Sequence, residues 1–251
     1  MRRLSFTIRL DESQRIQPDS KIIYGILEIL FMSLASEYQT FWTARNRRSF
    51  FIGIFLLTLA LMVQVTAGRH SYRKAITASF ENDLILDNIP TVNLDEVIVQ
   101  GAILLAALTI FMIIRHPRYL LFSLKAVAIF IAIRSLFINL TPLGIYPEQA
   151  VFDQGFGSGL YNYLNFEGNY FFSGHTGLPF LMALIFWQKK WARNLFFGVS
   201  LLFAVSVLLA HVHYSIDVFA APFISYGIFR IAKYLFHEDY LMIGISPLNE
   251  V

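Results

Sequence analysis

Polar and apolar positions come in long blocks along most of this chain. Six apolar stretches, at about 50–67, 97–114, 119–140, 171–188, 194–211 and 214–236, are separated by polar loops. A helix needs about 20 apolar residues to cross the hydrocarbon core of a bilayer. Each stretch therefore reads as a transmembrane span, the shorter ones with tilt or local thinning. Residues 1–21 are polar and charged, and no apolar segment follows Arg2-Arg3, so no cleavable signal peptide is expected. Ile22 to Ala35 is apolar, but Glu28 interrupts it and Ser36, Glu37 and Gln39 follow. Residues 22–43 predict an amphipathic helix in the interface, with Phe41 and Trp42 at headgroup level; a seventh span is the alternative. The expected fold class is all-α: a polytopic membrane bundle of six transmembrane helices with an N-terminal interfacial helix. The expected organisation is a cytosolic tail and interfacial helix over 1–49, a membrane domain over 50–236 and a cytosolic tail over 237–251.

Composition agrees with a membrane protein. The chain is 56% hydrophobic and 15% charged, against the usual quarter charged for soluble domains. Its mean hydropathy is +0.56. It has no cysteine, which excludes disulfides, thiolate metal sites and cysteine nucleophiles. The formal charge is only +3, and the basic residues sit in particular loops. That clustering speaks for membrane orientation and against a nucleic-acid partner. Eight Lys/Arg precede the first span, Arg115 and Arg118 link the second and third, and Lys189, Lys190 and Arg193 link the fourth and fifth. Loop 141–170 and the link between the fifth and sixth spans have none. The positive-inside rule then places both termini in the cytoplasm.

On this topology three polar features reach the outer face. His213 and Asp217 open the sixth span. Ser173, Gly174 and His175 open the fourth, and Arg134 lies in the last third of the third span. A histidine and an aspartate four residues apart share one helix face. The aspartate can hold one ring nitrogen and raise the basicity of the other, which suits a nucleophile or a general base. The alternative is a polar pair tethering a helix end. Ser173 is a candidate N-cap, and Gly174 lets a ligand approach the backbone. The N–H groups of a helix start attract phosphate, and His175 beside them is placed to protonate a leaving oxygen. An arginine within a span is costly unless paired or functional, and its guanidinium is shaped for phosphate; snorkelling is the alternative. Lys125, nearer the inner end of the third span, is expected to snorkel to the cytoplasm. Two histidines and an aspartate could also suggest a metal. No further carboxylate or histidine joins them at short spacing, so neither metal nor cofactor is expected.

Phe172-Ser173-Gly174-His175-Thr176 and His211-Val212-His213-Tyr214-Ser215-Ile216-Asp217 resemble the two signature motifs of the sphingomyelin synthase group. That group lies within the lipid phosphate phosphatase (phosphatidic acid phosphatase type 2) superfamily. Arg134, Thr141 and Pro142 resemble its third-span motif. The stretch from Asp83 to Pro90 loosely resembles the motif of its first outer loop. The resemblance implies His213 as nucleophile through a phosphohistidine, Asp217 orienting it, and His175 as acid and then base. It implies a phospholipid donor, a ceramide- or diacylglycerol-like lipid alcohol as acceptor, and a site on the non-cytoplasmic side. Arg134, Ser173 and Gly174 are the expected phosphate contacts. Tyr170, His211 and Tyr214 are candidate headgroup contacts.

The chain departs from the superfamily's phosphatases. Val207 stands where they carry an arginine six residues before the nucleophile, and Ser135 follows Arg134 where they have proline. A phosphomonoester carries nearly two charges and benefits from such cations, whereas a diester carries one. The expected reaction is headgroup transfer from a phosphodiester. Lipid phosphate hydrolysis, and a non-enzymatic transporter, scramblase or scaffold, are the alternatives. Loop 141–170 has the acids Glu148, Asp153 and Glu167 and many aromatics, a composition suited to a quaternary ammonium or to an interfacial belt. Gly155, Gly157 and Gly159 suggest a lid.

Overall fold

A computed structural model describes residues 24, 32, 35–141, 143–149 and 171–244. They fall into two units, one ending at Trp42 and one beginning at Thr43. In the first, residues 35–41 are helical. Of the rest of the helix expected over 22–43, Tyr24 and Met32 are helical, Trp42 and Thr43 are not, and the other residues lie outside the described ones, as do loop residues 150–170 with the expected lid.

In the second unit every regular element is helical, with no strand among the described residues. The helices are α1 (Ala44–Ala75), α2 (Asp95–Arg115), α3 (Leu120–Leu140), α4 (Gly174–Ile185), α5 (Lys190–Leu209), α6 (Ser215–Leu235) and α7 (His237–Gly244). Five of them (α1, α2, α3, α5 and α6) are long and apolar enough to cross a membrane. The chain reads as an integral membrane protein. The fourth expected span is shorter than 171–188: α4 has 12 residues, about 18 Å of helix. α1 is longer than expected, at 32 residues. Its basic flanks stay helical because the Thr43 hydroxyl accepts from Asn46 N–H at 3.2 Å, and Arg73 and Lys74 occupy the last turn, where the helix dipole favours cations.

Small residues set the α1–α3 seam. Gly53, Ala60, Ala67, Gly68, Ser71 and Ala75 are buried on one side of α1, while Phe51, Phe55 and Met62 are exposed on another. In lipid, helices associate by close backbone approach and by hydrogen bonds between them. A Cβ on Gly53 would lie 3.2 Å from Leu124 Cβ. Ser135 Oγ donates to Gln64 Oε1 at 2.9 Å, and Ser71 Oγ to Ile138 C=O at 3.3 Å.

Lys125 departs from expectation. Its side chain is 5% exposed, bonds Ser49 Oγ at 2.6 Å, pairs with Asp239 of α7 and lies 4.9 Å from the Phe236 ring centre. The physical reason is α7, which follows α6 and supplies a buried carboxylate at the start of α3. With a partner at that depth the ammonium need not reach water.

α4, α5 and α6 pack as a group around Phe186, which stacks on Tyr119 at 4.5 Å and on Phe196 at 5.6 Å. Ser200 Oγ donates to Thr176 C=O at 2.8 Å, and Ser225 Oγ to Gly177 C=O at 3.0 Å. Gly177 permits this approach: a Cβ there would meet Ser225 Oγ at 2.8 Å and the Phe130 ring at 3.1 Å.

Candidate active site

α5 ends abruptly. His211 N–H bonds Leu208 C=O at 3.0 Å and Val212 N–H bonds Val207 C=O at 3.1 Å. This paired closure of a helix end usually puts glycine in the left-handed position. Here that residue is His211, at φ 54°. Two residues on, His213 enters the turn that starts α6. Its Nδ1 lies 3.4 Å from Asp217 Oδ2. The same oxygen accepts Tyr214 N–H at 3.1 Å, so Asp217 fixes both the ring and the helix start. His213 is 4% exposed and Asp217 0%. Asp217 Oδ1 has no hydrogen-bond partner among the described residues.

The second motif is attached to the first through the backbone. Ser173 N–H donates to Asp217 C=O at 3.1 Å. Ser173 caps α4, its hydroxyl accepting Thr176 N–H at 3.4 Å. With its N–H and hydroxyl both engaged, Ser173 acts here as a joint between α4 and α6. This seats the His175 ring 6.0 Å from that of His213, at 66°, and 5.8 Å from that of Phe203. Arg134 arrives from α3, 7% exposed, its Nε donating to Phe172 C=O at 3.0 Å. The guanidinium rides over Gly174, where a Cβ would lie 3.1 Å from Nε.

Arg134, Gly174 and His175 line a cavity of about 350 Å³ whose walls are mainly apolar, with Leu105, Phe130 and Met182 among them. The structure thus gathers His175, His213, Asp217, Arg134, Ser173 and Gly174, which come from three helices and from the turns that open two of them. It does not bring the candidate headgroup residues to the same place. Tyr214 donates through its hydroxyl to Gly144 C=O at 2.9 Å. His211 Nδ1 meets Thr91 Oγ1 at 3.0 Å, and its ring faces Tyr146 at 5.2 Å. Tyr170 lies outside the described residues. No group of three or more His, Asp or Glu side chains suited to a metal occurs among the described residues.

One acidic loop beside the site was legible only through its loose resemblance. Asp83 Oδ2 accepts Ser215 N–H at 2.7 Å, at the first turn of α6. Burial pushes the Asp83 carboxyl up, but hydrogen bonds from Ser215, Leu86 and Ile85 outweigh it and hold its pKa below the usual value. Tyr146, bonded to Asp87 at 2.6 Å, is pushed up to about 12, mainly by that hydrogen bond.

Residues 168–234, which contain both histidine segments, match the family described as PAP2 superfamily C-terminal. This supports a PAP2-type membrane protein, from a superfamily of phosphatases and phosphotransferases. The chain is also 28% identical over 142 residues to a Staphylococcus saprophyticus protein named multidrug resistance efflux pump SepA. That alignment covers 50% of this chain and 93% of the relative. No solved structure matches.

Proposed function

We propose that the chain is a lipid headgroup phosphotransferase of the sphingomyelin synthase-like kind. The arrangement that carries this reading is His213, held by Asp217 through Nδ1, with His175 across from its ring and Arg134 over Gly174. With Nδ1 on the carboxylate, Nε2 is the nitrogen that attacks. In the first half-reaction Nε2 bonds to the phosphorus of a phosphodiester, and the bond to the glyceride oxygen breaks. His175, in its protonated form, gives its proton to that oxygen. In the second half, His175 takes the proton of a lipid alcohol as that oxygen attacks phosphorus and the N–P bond breaks. Asp217 stabilises the positive ring of His213 in both halves. Arg134 and the α4 start hold the phosphoryl oxygens. The apolar cavity beside them suits a lipid better than a soluble ester.

Val207 supports a diester. It is 0% exposed among Ile98, Val99, Val212 and Val218, so that position offers no cation for a second phosphate charge. The positive-inside distribution supports both termini in the cytoplasm and the site on the opposite side. The donor is a phospholipid, the acceptor a ceramide- or diacylglycerol-like alcohol, and no nucleic acid or cofactor is needed. The relative's name favours one other reading, transport.

Purified protein given phosphatidylcholine, phosphatidylethanolamine or phosphatidic acid, with and without ceramide or diacylglycerol, tests this. A new headgroup lipid that needs the acceptor and disappears in His213→Ala is expected. Phosphate released from phosphatidic acid without acceptor would make the chain a hydrolase. Drug efflux retained by His213→Ala and His175→Ala, with no lipid product, would make it a transporter.

A further inference from the structure

Resting on the histidine chemistry proposed above, we infer that Asp83, in the loop between α1 and α2, is a positioning residue that clamps the start of α6 and so holds His213 against Asp217.

Asp83 is 6% exposed and uses both carboxylate oxygens. Oδ1 accepts the N–H groups of Ile85 at 2.9 Å and Leu86 at 3.2 Å, which closes its own loop into a tight turn. Oδ2 reaches Ser215 N–H, 132 residues away, at 2.7 Å. Ser215 lies midway between His213 and Asp217, two residues from each. A helix's first N–H groups have no partner within the helix, and a carboxylate there gains from both the hydrogen bond and the dipole. Helices usually take that cap from the residue just before the first turn. Here the preceding residue is Tyr214, whose hydroxyl is turned away to Gly144. Asp217 takes the Tyr214 N–H, and the next N–H, that of Ser215, goes to a distant loop, so the loop's position and the dyad's geometry are coupled.

The loop is braced against drift. Asp87 Oδ2 accepts Asp83 N–H at 3.1 Å, and Asp87 Oδ1 accepts the Tyr146 hydroxyl. Tyr214 Oη accepts Glu81 N–H at 3.3 Å. Gly144 N–H bonds Ser79 C=O at 3.2 Å. A Cβ on Gly144 would lie 2.5 Å from Ser79 backbone atoms, so the two loops meet where only glycine fits. A carboxylate braced on this scale is more than a turn residue needs. Since small misplacements of reacting groups cost large factors in rate, the clamp acts on turnover more than on substrate binding.

The test uses the full-length protein and two independent readouts. The chain has no cysteine, so Ser215→Cys, which keeps the backbone N–H, is a unique reporter. Its reaction with a membrane-impermeant maleimide measures how firmly the α6 start is held. Asp83→Ala and the isosteric Asp83→Asn are compared with Leu84→Ser, a control at the 85% exposed neighbour. The clamp predicts maleimide reaction faster by about tenfold in both Asp83 variants. It predicts kcat for headgroup transfer lower by about tenfold or more, with KM and the melting temperature little changed. Leu84→Ser matches wild type. Labelling unchanged in Asp83→Asn would overturn the inference, as would faster labelling with an unchanged kcat. A melting temperature that falls while kcat per folded molecule holds would assign Asp83 to the fold alone. If the unmutated protein transfers no headgroup from any donor, the function proposed above fails. Labelling still decides the clamp in that case.

Discussion

Asp239→Ala removes the carboxylate that faces Lys125 and leaves the ammonium where it is, 4% exposed. Deleting one member of a buried ion pair costs about 3–5 kcal/mol, because the remaining charge stays out of water. Two contacts survive the substitution: the Ser49 hydroxyl at 2.6 Å and the face of Phe236 at 4.9 Å. Both are already present in the wild type and so add nothing to the difference, while the Ser49 hydroxyl loses Asp239 as its acceptor. The expectation therefore stays at about 3–5 kcal/mol, a drop in melting temperature on the order of 10 °C for a chain of this size. Removing both charges is different. Lys125→Met with Asp239→Leu fills the volume with apolar atoms and is expected within about 1 kcal/mol of wild type. Tryptophan fluorescence during heating in detergent reads all three proteins without any assumption about activity. The reasoning is refuted if the double variant falls as far as Asp239→Ala, or if Asp239→Ala melts with wild type.

Three further outcomes follow from the packing and the titrating groups. Gly177→Ala pushes a methyl against Ser225 Oγ and Phe130 and is expected to cost about 1–3 kcal/mol; adding Ser225→Ala should recover part of it in the same melting assay. Val207→Arg places a cation in the closed apolar cluster of Ile98, Val99 and Val218 and should destabilise by about 2 kcal/mol or more; a variant as stable as wild type would show that the cluster opens readily. His116 is pushed down to about 4, first by burial and then by Lys189 and Arg115. The unfolded chain binds that proton near pH 6.5, so it holds more protons in between, and stability falls as pH drops from about 6.5 to 4. His116→Gln should flatten the fall when melting is followed across that range.

The sequence announces the spans because a bilayer imposes one demand, a run of apolar residues, that no other constraint imitates. It announces the pairing of His213 with Asp217, but not its geometry: His213 lies in the turn before α6, not on a face of that helix. It is silent wherever the partner of a residue lies on a helix not adjacent in the chain. Lys125 looks like a cation heading for water until α7 supplies Asp239, 114 residues away. Ser173 looks like a cap, which it is; that its N–H also donates to Asp217 C=O is a link with no sequence pattern. The length of α4 is hidden for a similar reason. The apolar run continues through Phe186 and Trp187 after the helix has already turned at Ile185. Asp83 sits in a short acidic loop with no periodicity to read, and its meaning depends wholly on Ser215.

The brevity of α4 bears on how deep the proposed chemistry would lie. Trp187 and Trp191, both more than half exposed, flank Lys189 and Lys190 just past its end, the residue types that settle at a membrane surface. Counted from that surface, the helix start with Gly174 and His175 lies about 18 Å inward. The hydrocarbon is about 30 Å thick, so on the function proposed above a lipid that comes from the far side would meet the start of α4 roughly 12 Å beneath that surface, beside α6, whose 21 residues are long enough to cross. A phosphate reaching the histidines must be drawn below the level of its neighbours' headgroups, or the film must dip to meet it. The thickness of the surrounding lipid then becomes a variable of the reaction. Shorter acyl chains shorten the descent, longer ones lengthen it, and host membranes that differ only in chain length would set different working rates for the same protein.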